Sequence, residues 1–421
     1  MIARCGGICQ LKVGILATKR TRRERNELEQ FLQKNKWSIL AAGAAIQILT
    51  GIPAAWGVFQ GPVRQEYGFD ENAASFIFSF IIGAFGIGCV LGGYLQDKCG
   101  PRVAGLTGTA LLAAGFFAAG FLPQNKVWLF YLCFSVPVGL GCAFLYPAVM
   151  SCAQKWYADK KGLATGVIGG AVGFSGAALT FAVRWLSGIW GIRVCFWVLG
   201  GVMLVVCGAG SILLKNPTQK AAAQPNADAP KKDYTVLQML KTRQYWLVTA
   251  VVALGTPAVL LFSPIIVRLG QERGLSENAA HWAIIIGSVG SAAGRLSMPA
   301  LSDKIGRRAT DLLLFTGLAG LSVWFIFAQN GWMIAVYTAL TFCYAGEAAV
   351  LPSLCTDLFG MKNTGVNYGF LALGMTVGSL GFPLIARMLD LELARHFIAI
   401  GAAAAGILCL WMLKPTQDEK I

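Results

Sequence analysis

Twelve stretches of about 20 mostly apolar residues punctuate this chain. They fall near 38–59, 75–95, 103–122, 127–153, 163–185, 194–214, 246–267, 279–300, 310–327, 332–357, 366–386 and 397–413. A helix of about 20 residues rises ~30 Å, the thickness of a bilayer's hydrocarbon core. Lipid offers no partner for a bare amide, so such stretches fold as helices that satisfy their own backbones. The expectation is an all-α membrane protein with twelve transmembrane helices. Composition points the same way: 13% of the 421 residues are charged and 56% are hydrophobic, against about 25% charged in soluble domains.

The formal net charge of +15 invites a nucleic-acid reading until the basic residues are placed. Set the N-terminus, the loops after even-numbered helices and the C-terminus on one side of the membrane. That side holds 26 lysines and arginines, the opposite loops hold 8, and Arg295 lies within a helix. Lysine and arginine favour the cytoplasmic side, so both termini are expected there, in an inner (plasma) membrane. The charge is thereby absorbed without nucleic acid. The basic cluster Lys19–Arg25 follows a weakly apolar stretch instead of preceding it, which argues against a signal peptide and for a cytoplasmic tail. Most of the twelve cysteines lie in apolar runs, and the chain has only two histidines. That pattern suits small buried hydrophobes, with no metal or other cofactor expected. The absence of an ATP-cradling loop leaves solute or ion gradients as the energy source.

The chain repeats itself. A polar stretch, 215–244, separates the blocks 37–214 and 245–413, with tails at 1–36 and 414–421. Its prolines, lysines and asparagines read as a flexible cytoplasmic linker. After the second helix of each block comes a related turn, Gly93-Tyr94-Leu95-Gln96-Asp97-Lys98-Cys99-Gly100-Pro101-Arg102 and Pro299-Ala300-Leu301-Ser302-Asp303-Lys304-Ile305-Gly306-Arg307-Arg308. Asp97 corresponds to Asp303 and Arg102 to Arg308. This repeated turn resembles the cytoplasmic-loop motif of the major facilitator superfamily. The resemblance implies two pseudo-symmetric six-helix bundles rocking about a midplane site. A carboxylate at such a turn can meet a helix N-terminus or an arginine of a neighbour. Asp97, Arg102, Asp303 and Arg308 are therefore expected to form a latch between conformations, beyond merely marking topology. The glycines Gly166, Gly169, Gly170, Gly173 and Gly176 give the fifth helix a thin face for close packing.

A charged side chain at bilayer depth costs roughly 2.5–3.5 kcal/mol on insertion scales, so each invites a functional explanation. Two stand out: Arg295 on the eighth helix and Glu347 on the tenth. At 1.5 Å per residue, Arg295 lies ~10 Å, Glu347 ~16 Å and the fourth-helix Tyr146 ~13 Å from the cytoplasmic end. The three are expected to face one cavity, with Arg295 and Glu347 pairing at ~4 Å when the site is empty.

A closer resemblance, spanning roughly 37–413, is to the oxalate/formate antiporter family. It is carried by Lys155-Trp156-Tyr157-Ala158-Asp159-Lys160-Lys161-Gly162-Leu163-Ala164-Thr165-Gly166, by Leu351-Pro352-Ser353, by Asp357-Leu358-Phe359-Gly360, by Asn367-Tyr368-Gly369-Phe370, and by Gly51 with Trp56-Gly57-Val58-Phe59. It implies transport of small carboxylates, with Arg295 as carboxylate partner and Tyr146 and Tyr344 in the wall. Three departures separate this chain from the family's oxalate carriers. Met375 stands where their second cation is a lysine. Ala54, Ala348 and Ala372 replace large aromatics, and the glutamines expected in 75–95 are absent. One cation suits a monocarboxylate better than a dianion. The expectation is a monomeric secondary transporter of a pyruvate-, lactate- or formate-like anion, with Glu347 carrying a coupled proton. Exchange of the oxalate/formate type and export of another metabolite or drug are the alternatives.

Overall fold

The computed structural model describes residues 36–157, 161–216, 233–360, 363–389 and 393–413. The basic tail, most of the linker and the C-terminal tail lie outside the described residues, and so do the readings made of them. Among the described residues the secondary structure is helical, without strands.

Among the described residues, eleven helical spans are long and apolar enough to cross a membrane. The longest, Leu163–Leu213, has 51 residues; at 1.5 Å per residue it would extend ~75 Å, more than twice a bilayer core. It turns at Gly191, whose φ is 78°. It is thus two crossings, and the total is twelve. We number them α1 (Lys36–Tyr67), α2 (Glu71–Cys99), α3 (Pro101–Phe121), α4 (Val127–Trp156), α5 (161–190), α6 (192–213), α7 (Arg243–Glu272), α8 (Glu277–Ile305), α9 (Arg307–Phe327), α10 (Asn330–Phe359), α11 (Thr364–Leu389) and α12 (Ala394–Met412).

Three crossings are irregular where the sequence removes a donor. Proline lacks an N–H and crowds the preceding turn. Pro137 follows a π-helical turn at Tyr131–Ser135 in α4. Near Pro53, α1 breaks into Lys36–Thr50 and Ile52–Tyr67. α7 is the most broken: Arg243–Gly255, then Pro257–Leu260, then a 3-10 turn at Ser263–Ile265, then Ile266–Glu272. The end of the linker is ordered too. Thr235 and Gln238 form a capping box for a short helix, Val236–Leu240. The Tyr234 amide donates to the Phe359 carbonyl at 2.9 Å, and Asn363 and Asn367 donate to the Tyr234 carbonyl. The flexible reading of 215–244 therefore does not extend to its last twelve residues, where local capping and α10–α11 capture the chain.

Inside the first bundle, Trp56, Phe59, Phe116, Phe130, Phe134 and Phe196 form a continuous aromatic core. The bundles meet along two seams. In one, α5 brings Gly173 against the Ala292 backbone and Gly170 against Leu296 of α8, too close for a larger side chain at Gly173. In the other, α2 packs Gly86 and Gly93 against the α11 backbone at Ala372 and Gly365. Removing side chains is how helices approach closely where lipid gives no hydrophobic drive.

Candidate functional site

Between the bundles lies a cavity of ≈ 160 Å³. Each wall is a stripe at helical spacing. α8 contributes Ile284, Gly287, Ser288, Ser291 and Arg295; α10 contributes Tyr337, Thr341, Tyr344 and Ala348. From the first bundle come Gln47, Thr50 and Ala54 of α1, Phe78 to Phe85 of α2, and Tyr146 of α4; Tyr368 and Met375 come from α11.

Among the described residues, Arg295 is the one cation in the cavity's lining. Its stem lies along Gly169 of α5, at 3.4–3.9 Å from where a Cβ there would sit. Its Nε is buried and makes no hydrogen bond, and no carboxylate pairs with it among the described residues. Tyr146, Tyr344 and Tyr368 all lie within its electrostatic reach. The Tyr146 and Tyr368 rings stack at 6.4 Å. Across the cavity, Gln47 is fully buried; its Oε1 accepts from Thr50 Oγ1 at 2.7 Å, leaving Nε2 without a partner. An unpaired guanidinium and an unpaired amide thus flank a small, tyrosine-walled space. Such a set of donors suits one anionic group.

Glu347 departs from expectation. It is 3% exposed but does not line the cavity, and it forms no ion pair with Arg295. Helix geometry explains this. At 100° per residue, Glu347 points about 90° away from the centre of the Tyr337–Thr341–Tyr344–Ala348 stripe. Its Oε2 lies 3.5 Å, and Phe315 Cζ of α9 3.3 Å, from where a Cβ on Gly255 of α7 would sit. Asp311, one turn before Phe315, is also 3% exposed, and its Oδ1 has no partner. Asp311 and Arg295 both act electrostatically on Glu347, and Arg307 acts on Asp311.

The two repeated turns differ. At both, a glycine takes a positive φ, 85° at Gly100 and 90° at Gly306, which an L side chain resists. Asp97 crosses between bundles: its carboxylate packs on Gly365, beside the Val366 amide in the first turn of α11. Asp303 stays in its own bundle, pairing with Arg307 at 2.6 Å, and Arg307 reaches Asp357 of α10 at 3.2 Å. Arg308 donates to the Leu410 and Trp411 carbonyls at the end of α12, while Arg102 leaves Nε and Nη2 buried without partners. The expected symmetry of the latch is therefore incomplete, because only Asp97 faces a helix start across the seam. At the opposite end of the molecule, Arg268 of α7 meets Glu71 of α2 at 2.9 Å, and Arg184 of α5 meets Asn278 of α8 at 2.8 Å.

Two bundles, paired turns and a central cavity agree with the matches to known proteins. The family model of the Major Facilitator Superfamily matches residues 37–270 and 258–421. The chain belongs to this superfamily. It is a multi-pass transporter by membership. It is 24% identical over 357 residues to the uncharacterized MFS-type transporter YhjX of Escherichia coli (strain K12), covering 83% of this chain and 87% of that one. It is 26% identical over 343 residues to the oxalate:formate antiporter of Oxalobacter formigenes, 80% of each chain. Monocarboxylate transporter 13 of Rattus norvegicus is 26% identical over 390 residues, 88% of this chain and 87% of that one.

Within this superfamily fold, the residues singled out from sequence separate into three places. Arg295, Tyr146, Tyr344 and Met375 line the cavity; Glu347 lies behind its wall; Asp97, Arg102, Asp303 and Arg308 occupy the turn end. Ala54 and Ala348, the small replacements, line the cavity, whereas Ala372 does not. Sequence reasoning missed Gln47 and Asp311. Gln47 carries no charge, and Asp311 stands second in its apolar run, where a loop residue is the usual reading. The signal for Gln47 was available: a lone amide deep in an apolar stretch needs partners.

Proposed function

We propose that this transporter carries a small monocarboxylate, of the pyruvate, lactate or formate type, by alternating access. The observation that carries the reading is Arg295: a guanidinium in the wall of a cavity between the bundles, with no carboxylate paired to it among the described residues. A planar guanidinium holds a carboxylate through two parallel hydrogen bonds, and Gln47 Nε2 and the tyrosine hydroxyls supply further donors. A single cation leaves the second charge of a dicarboxylate unpaired and desolvated, at a cost of several kcal/mol. Drug-sized ligands occupy pockets of about 300–1,000 Å³, above the ≈ 160 Å³ found here, so export of large compounds is disfavoured. The monocarboxylate and oxalate:formate relatives support the same substrate class.

The coupling we propose is to one proton, held by Glu347 with Asp311 beside it. Two carboxyl groups confined together favour sharing a proton. An anion on Arg295 removes the positive charge that favours ionised Glu347, so anion and proton bind together and affinity falls as pH rises. The positive-inside count supports an inner-membrane location with the turn end and both termini cytoplasmic, and the unit acts as a monomer. Uptake of labelled formate, lactate, pyruvate and oxalate into proteoliposomes, with and without an imposed pH gradient, tests the reading. Accumulation of a monocarboxylate, abolished in Glu347→Gln while exchange persists, is expected. Preference for oxalate, or uphill uptake retained in Glu347→Gln, contradicts it.

A further inference from the structure

A second cavity, of ≈ 340 Å³, opens between the bundles at the end opposite the repeated turns. Three arginines line it: Arg268 of α7, Arg387 at the end of α11 and Arg395 at the start of α12. Ser75 and Ser79 of α2 complete the polar wall. Arg268 is already engaged by Glu71 at 2.9 Å and by Glu272 at 3.5 Å. Arg387 and Arg395 make no ion pair among the described residues. The first turn of α12 also opens here, with Ala394 in the lining and no side chain capping it. Its dipole adds positive potential. Glu71 and Glu272 act electrostatically on Arg395 as well as pairing with Arg268, so two carboxylates face three arginines, and an anion offsets the cation left over.

We propose that this cavity is a second binding site for a small carboxylate, a waiting position at the mouth opposite the turn end. The nature of the carboxylate rests on the monocarboxylate reading; the existence of the anion site does not. Its position suits the role. Leu260 lines both cavities, so the two share a wall on the broken stretch of α7. The Glu71–Arg268 pair crosses between α2 and α7 at the same place. An anion that takes over Arg268 weakens the pair that holds this end shut, and so prepares the opening through which it enters.

The test uses trifluoroacetate, a small carboxylate observed directly by 19F NMR, titrated onto the full chain in detergent and in nanodiscs. Arg295→Gln is expected to remove one class of site and leave a second. Arg387→Gln/Arg395→Gln in that background is expected to weaken the remaining broadening at least tenfold, and Arg387→Lys/Arg395→Lys to restore most of it. Size-exclusion profiles matching wild type establish that the variants are folded. Residual binding unchanged by the glutamine pair overturns the proposal. So does loss of trifluoroacetate binding in phosphatidylglycerol nanodiscs with retention in phosphatidylcholine ones, which assigns the arginines to a lipid headgroup. Arginine-dependent binding at this site with none at Arg295 upholds the outer site and counts against the central one.

Discussion

The two bundles are built on one repeated plan and divide the work unequally. At the cavity, the first bundle offers neutral donors, Gln47 and Tyr146, while the second holds Arg295 in the wall and Glu347 and Asp311 behind it. At the turn end the asymmetry reverses. The first bundle's Asp97 reaches across to α11, whereas the second bundle's Asp303 is consumed locally by Arg307. A repeated motif conserves backbone shape, here a glycine turn. What its carboxylate does depends on what the other bundle places opposite it. On the proposed reading, substrate binding and gating draw on opposite halves, and a signal between them must cross the seams.

The cavity half of this comparison gives the largest expected effect. Truncating one partner of a buried charge pair costs about 2–5 kcal/mol, so Arg295→Lys, which loses the two-pronged geometry, is expected to weaken lactate binding by about 30-fold or more. Gln47→Leu removes one neutral hydrogen bond, worth about 0.5–1.5 kcal/mol or roughly 2- to 10-fold. Calorimetry on purified protein measures both. Equal losses would erase the distinction between a charged and a neutral wall.

The turns give a smaller pair of effects. Asp97 places a negative charge on the N-terminus of α11, an interaction worth up to ~2 kcal/mol in partly buried geometry. Asp97→Asn is expected to slow flux about tenfold, the equivalent of ~1.4 kcal/mol, with binding nearly unchanged. The Asp303–Arg307 pair is spaced i,i+4 and Asp303 is exposed, which limits its worth to about 0.5 kcal/mol. Asp303→Asn is therefore expected to leave flux within about twofold of wild type. If Asp303→Asn slows flux as much as Asp97→Asn, the asymmetry of the turns has no functional content.

The fold was legible because apolar run length is a local property: each of the twelve runs reappears as a crossing, and Gly191 divides the one helix that hides two. Arg295 was legible for the same reason, since a lone charge in an apolar run shows without knowing its neighbours. The face of Glu347 was not, because depth along a helix says nothing of rotation until the cavity stripe on α10 is known. Asp311 was masked by standing at the edge of its run. Asp97 lies beside a backbone amide more than 250 residues away in sequence, and no local pattern marks such a contact.

The central claim is that Arg295 recognises a carboxylate charge in a site with no second cation. The most direct test compares lactate with its neutral amide, lactamide, which matches it in shape. Binding of both is measured by calorimetry to wild type and to Arg295→Gln. Wild type is expected to prefer lactate by about 100-fold, ~2.7 kcal/mol, and Arg295→Gln to bind the two within about threefold of each other. Discrimination that survives in Arg295→Gln would contradict the account.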